Sequence, residues 1–256
     1  MAQEQAQFLR RDLHRGRTAH NHARKQVQET HRGSRRQIRV NRYANILFDL
    51  DGTIADSAPD IIACVRGAFA EVFGAAAPPV KADLIGFQLK EILLGIDPSL
   101  SPEDIGRLTA AFRGIYDECG FPGTRLYAGA AEALAELKTA GARLFLVTNK
   151  PDKPTRALLL KFGLDVFEEV VCPDSVPGRR MTKSEMIGRL LGLRSLEKKE
   201  TVMIGDFETD ILAARENGIA AIAALYGYGD AAKLRALAPD RTLTAISGLA
   251  GLVTGG

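Results

Sequence analysis

The chain contains no run of about 18 apolar residues, so no membrane span is expected. Its first residues lack the apolar stretch of a secretory signal, so none is expected there either. Cysteine is scarce. Cys64, Cys119 and Cys172 are odd in number, far apart and set among apolar neighbours. That pattern predicts reduced thiols in a cytoplasmic protein rather than a disulfide framework. Histidine is confined to His14, His20, His22 and His31, and no Cys/His pair has zinc-ligand spacing.

What is present is unevenly distributed. Residues 1–42 hold eleven Lys/Arg against three Asp/Glu, whereas the whole chain nets only +3, so the remainder is mildly acidic. The basic segment is rich in Gln and Arg and poor in branched apolar residues. Such a segment buries too little surface to offset its ordering entropy, and is expected to be a flexible extension. Contact with nucleic acid or another acidic surface, and an organelle-targeting role, are the competing readings. The 256 residues suffice for one core domain with an insertion, or for two small domains.

From Asn45 the pattern becomes regular. Ile46-Leu47-Phe48 stops at Asp49, 142–147 stops at Thr148-Asn149, and 201–204 stops at Gly205-Asp206. Val170-Val171 and 220–225 read as two more strands. Short apolar runs without alternation predict buried parallel strands. Helical patterns at 130–140, 153–162, 182–191 and 208–217 are each followed by glycine, the usual residue just past a helix end. The alternation predicts an α/β fold, a doubly wound parallel sheet. Residues 57–126 interrupt it with helical candidates at 58–73, 81–94 and 103–118, the mark of an inserted α-helical segment.

Ligands of open parallel sheets bind beyond the carboxyl ends of the strands. That rule gathers Asp49, Asp51, Thr148, Asn149, Asp206 and Asp210 into one crevice. Four carboxylates there repel one another unless a cation sits among them. An oxygen-only donor set, without His or Cys, points to Mg²⁺.

These residues carry a family resemblance. Phe48-Asp49-Leu50-Asp51-Gly52-Thr53 resembles the first motif of the haloacid dehalogenase-like hydrolase superfamily, and Val147-Thr148-Asn149-Lys150 the second. Lys183 stands where the third-motif lysine belongs, and 205–210 resembles the fourth motif. The resemblance covers roughly 45–250 and implies a Rossmann-like core, 43–56 with 127–256, and a helical cap, 57–126. It implies a Mg²⁺-dependent phosphatase in which Asp49 attacks phosphorus and Asp51 serves as acid and then base. An acid at position 51 speaks against the dehalogenase branch. Thr148 and Lys183 would hold the phosphoryl oxygens, and Gly52, Thr53 and Asn149 would line the phosphate site. Asp49, Asp206, Asp210 and the backbone carbonyl of Asp51 would bind Mg²⁺. The pattern departs from the family at Ser184, where proline is frequent, and at Phe207, where a small polar residue is usual. Arg179 and Arg180 are substitutes at hand should Lys183 not serve.

The helical insertion resembles the family's first cap type, and Tyr226-Gly227-Tyr228-Gly229 resembles a feature of phosphoglycolate phosphatases. Gln88 and Lys90 fall in what resembles the cap's substrate-facing loop. The expected partner is a small phosphorylated metabolite, phosphoglycolate before others. A 5′-nucleotidase, a pyrophosphatase, a sugar-phosphate phosphatase and a phosphomutase are the alternatives. From a different class comes a non-catalytic module whose basic tail binds nucleic acid, against which the intact motifs argue. Monomer and homodimer both stay open.

Overall fold

The computed structural model describes residues 42–253. The basic extension, apart from Arg42, lies outside the described residues. Six parallel strands form the main sheet. They are β1 (Asn45–Phe48), β4 (Arg143–Val147), β5 (Glu169–Val171), β6 (Thr201–Gly205), β7 (Ala220–Ala224) and β8 (Arg241–Leu243). Their order is β5-β4-β1-β6-β7-β8, which puts β1 at the centre, bonded to β4 on one side and β6 on the other. The strand β8 went unanticipated because it is short and two of its three residues are exposed, so it carries no apolar run.

Every residue of β1 and β6 is buried because helices cover both faces. Alternate side chains feed two separate cores. Ile46, Phe48, Leu144, Leu146, Val202 and Ile204 enter one, and Leu47, Phe145, Val147 and Met203 enter the other. The first core runs on into the inserted helices through Ile61, Val65, Phe69, Leu93 and Leu108.

The insertion leaves and re-enters the core through a two-stranded antiparallel ribbon, β2 (Ala55–Asp56) paired with β3 (Arg125–Leu126). Between them lie the helices Ala58–Phe73, Leu89–Ile96 and Pro102–Tyr116. Asp60 ties the ribbon together. Its carboxylate accepts from the Gly123 amide at 2.8 Å, the Thr124 amide at 2.6 Å and the Thr124 hydroxyl.

Two helix expectations change. The pattern over 81–94 splits into a short turn, Ala82–Leu84, and the helix Leu89–Ile96, because Gly86 adopts φ +124°. The helix expected to end before Gly192 runs on to Leu193. Its stop comes one turn later, at Ser195 with φ +49°. Glycine inside a helix is disfavoured but tolerated when its neighbours are packed.

Candidate active site

The strands β1, β4 and β6 all end at the same edge, and the polar residues that follow them converge there. Asp49, Asp206 and Asp210 bring carboxylate oxygens within 4.8 Å of one another, all three buried. Lys183 faces them as the first residue of the helix Lys183–Leu193. That helix starts where it does because of a capping box. The Thr182 hydroxyl accepts from the Glu185 amide at 3.2 Å, and the Thr182 amide donates to Glu185 at 2.8 Å. The Lys183 ammonium donates to Asp49 Oδ1 at 2.6 Å and to the Val147 carbonyl at 3.0 Å, and forms an ion pair with Asp210 Oδ1 at 2.9 Å. Ser184, the departure from the family pattern, has a use here. Its hydroxyl accepts from Asn217 Nδ2 at 3.1 Å, joining the lysine's helix to the end of the helix that carries Asp210.

Asp51 stands two residues from Asp49 but belongs to a different set of contacts. Its carboxylate accepts from the Ser57 hydroxyl and pairs with Lys150 Nζ at 3.0 Å. Lys150 also donates to the Tyr116 hydroxyl at 2.8 Å, a group presented by an inserted helix. Asp51 offers no carboxylate oxygen to the cluster of three, so any part in holding a cation falls to its backbone carbonyl, as the resemblance implied.

Burial governs the electrostatics. It pushes Asp49 up to about 7, against the pull of Lys183 and with the help of Asp210. Burial, then Asp49 and Asp210, holds Asp206 well above the usual carboxylate range. Burial works against the Lys183 ammonium, but Asp210 and Asp49 outweigh it and raise its pKa. One ammonium therefore faces three buried carboxylates. That excess of negative charge on oxygen-only donors fits a hard divalent cation.

Asp206 is held by a loop in which Gly227 leaves no room for a side chain. The Tyr228 amide donates to its Oδ2 at 2.8 Å and the Thr53 hydroxyl to its Oδ1 at 3.0 Å. A Cβ on Gly227 would lie 2.3 Å from Asp206 Cβ, and one on Gly52 2.1 Å from Asp206 Oδ2. The Tyr228 hydroxyl accepts from the Ser57 and Ala58 amides at 2.7 and 3.0 Å and donates to Asp56 at 2.8 Å. One loop thus fixes both the acidic cluster and the entry to the insertion.

Several expected roles shift. Gly52 and Thr53 do not line the cavity over Asp49 and Asp51. The Gly52 amide is spent within its own turn, on Ala55 O at 2.8 Å, and Thr53 is fully buried with its hydroxyl on Asp206. Both lie against Asp206. Gln88 and Lys90 are also absent from the cavity wall, where Phe87 and Leu89 stand instead. Lys90 is exposed and Gln88 precedes the helix Leu89–Ile96. Thr148 and Asn149 do line the cavity. The Asn149 amide donates to Gly86 O at 3.1 Å. Arg179 pairs with Glu185, away from the cluster that Lys183 serves.

Lys150, Ser57 and Tyr116 are not among the site residues expected from the sequence, although Lys150 closes the second motif. Phe207, the second departure from the family pattern, packs on the insertion. Its ring meets Phe87 edge-on at 4.6 Å between centroids, and a Cβ on Gly86 would lie 2.8 Å from it.

Comparison with known proteins agrees with this geometry. The family described as "Haloacid dehalogenase-like hydrolase" matches residues 46–224, and the chain belongs to it. Within that family it is a phosphatase. The chain is 34% identical over 205 residues to a phosphoglycolate phosphatase of Vibrio vulnificus, covering 76% of this chain and 89% of that protein. It is 33% identical to a 5′-nucleotidase of Pseudomonas aeruginosa over 77% of this chain and 90% of that one. Tyrosine-protein kinase PtkA of Mycobacterium bovis is also 33% identical, over 73% of this chain and 63% of its own length. A solved haloacid dehalogenase-like family hydrolase of Streptococcus pneumoniae superposes with a TM-score of 0.73 at 25% identity, covering 82% of this chain and 98% of that one. Among the described residues no helix is long and apolar enough to cross a membrane.

Proposed function

We propose that the protein is a Mg²⁺-dependent phosphomonoesterase that hydrolyses a small phosphorylated metabolite through an aspartyl-phosphate on Asp49. One observation carries this reading. Two neighbouring carboxylates at the end of β1 face the same cavity but are held by different lysines, Asp49 by Lys183 and Asp51 by Lys150. Two carboxylates in unlike environments can take unlike roles.

The roles follow from the contacts. Asp49 forms a bond to phosphorus as the bond to the leaving oxygen breaks. Asp51, fixed by Ser57 and Lys150, gives that oxygen a proton. It then takes a proton from the water that displaces Asp49. Thr148 and Lys183 hold the phosphoryl oxygens. Mg²⁺ bound among Asp49, Asp206 and Asp210 would neutralise phosphoryl charge. Residues 57–126 act as a cap over a core of 43–56 and 127–256, and the Tyr116–Lys150 contact joins the two. The enzyme is read as cytoplasmic, in keeping with three cysteines free of disulfides.

Phosphoglycolate is the first candidate substrate, supported by the name of the Vibrio relative. A nucleotide 5′-phosphate is the second, supported by the cavity's aromatic wall of Phe87, Phe112 and Tyr116. The test is turnover on a panel of phosphomonoesters with Mg²⁺, followed by acid quenching and mass mapping of the phosphorylated peptide. Phosphate on Asp49 is expected. Turnover with no label on Asp49, together with an active Asp49→Asn variant, would overturn the reading.

A further inference from the structure

We propose that Arg113 and Arg180 form a second anion site in the cavity, so that the substrate's leaving group carries negative charge of its own. This rests on the reading that the cavity holds the phosphorylated substrate.

Three cations line the cavity: Lys150, Arg113 and Arg180. Lys150 is buried and already committed to Asp51 and the Tyr116 hydroxyl. Lys183, beneath the cavity, is likewise committed to Asp49 and Asp210. The two arginines differ from both lysines. Arg113 comes from the inserted helix Pro102–Tyr116, and Arg180 from the segment just before the Lys183 helix. Both are exposed and both line the same cavity. Neither guanidinium has a carboxylate partner among the described residues, although some arginines elsewhere do. Arg156 pairs with Asp152 at 2.8 Å, and Arg179, next to Arg180, pairs with Glu185. The one other acid at this rim, Asp117, has Lys153 at 3.4 Å.

Ile61, Leu89, Ile92 and Phe112 make much of the cavity wall apolar, so recognition of charge on a leaving group falls to the two unpaired arginines. A guanidinium presents paired N–H donors that match a carboxylate or a phosphate. A neutral leaving group would use neither arginine. The class selected is therefore a phosphomonoester with a second anion a short distance from its ester oxygen, either a carboxylate or another phosphate.

The experiment measures kcat and KM of the full-length, Mg²⁺-loaded enzyme on matched esters. Phosphoglycolate carries the carboxylate, ethylene glycol bisphosphate a second phosphate, and 2-hydroxyethyl phosphate a neutral end. The wild type should prefer one charged ester over the neutral one by about tenfold or more in kcat/KM, and the preferred one identifies the anion. Arg113→Met and Arg180→Met should each shrink that preference by about tenfold, chiefly through KM, and Arg113→Lys should restore part of it. Equal kcat/KM on charged and neutral esters would overturn the inference. So would variants that lower all three esters by one common factor. Absence of turnover on every ester, p-nitrophenyl phosphate included, would instead overturn the phosphatase reading, and this inference with it.

Discussion

Lys183 Nζ lies 2.6 Å from Asp49 Oδ1, donates to the Val147 carbonyl and pairs with the charge of Asp210, so a single side chain joins β1, β4 and the helix after β6. Removing it leaves buried carboxylates without a counter-charge. Lys183→Ala should cost about 3–5 kcal/mol in urea unfolding with chelator present. With Mg²⁺ it should lower kcat/KM by roughly 10²–10³-fold on every substrate. Wild-type rates in this variant would remove Lys183 from the site.

Stability without metal should depend on pH in a defined direction. Asp49 titrates at about 7 in the folded protein against an ordinary 3.8. Between those values the folded state holds a proton that the unfolded chain has lost, so this group's contribution falls as pH rises through that window. Asp206 shifts the same way. A cation bound to the ionised carboxylates reverses the trend. The Tm gain on adding Mg²⁺ should therefore grow from about pH 5 to about pH 8. A gain that is flat or shrinks over that range would contradict the site.

The two acids at the end of β1 should fail differently. Asp49→Asn removes one of three crowded negative charges, so it should abolish turnover yet leave chelated stability equal or higher. Asp51→Asn should slow turnover by about 10²–10⁴-fold. With p-nitrophenyl phosphate, whose leaving group needs no proton, it should release a burst of p-nitrophenolate and then stall at the aspartyl-phosphate. A steady rate with no burst would show that Asp51 does not serve the second step.

Gly227→Ala tests the loop around Asp206. The new methyl group would sit 2.3 Å from Asp206 Cβ and 2.4 Å from the Gly52 carbonyl. Asp206 must move, and Mg²⁺ affinity, read from titration of Tm, should weaken by about 10–100-fold. Unchanged affinity would mean that the loop yields without disturbing the carboxylate.

Much of this arrangement could be read along the chain. Strands buried on both faces are uninterrupted apolar runs, and two of the site acids follow one directly, Asp49 after Phe48 and Asp206 after Gly205. Contacts that cross between elements could not be read this way. Nothing local to Tyr116 marks it as the partner of Lys150, and Lys150 looks like any solvated charge until its burial is known. The broken helix at 81–94 fails for the same reason. Gly86 interrupts it where the Phe207 ring occupies the space a Cβ would need. The loop that resembles the cap's substrate-facing loop does border the cavity, but through the apolar Phe87 and Leu89 rather than through Gln88 and Lys90.

The contact of Phe207 with Gly86 and Phe87 binds two distant stretches of sequence into one inheritance. Any larger residue at 86 collides with the ring, and any smaller residue at 207 leaves Phe87 facing a hole. Neither position can drift alone without loss, so the pair must change together or stay. A chimera that took residues 57–126 from a relative with a small polar residue at the equivalent of 207 would meet this ring with the wrong surface. Exchange of substrate preference between such relatives would thus require a second, compensating change in the recipient, at position 207.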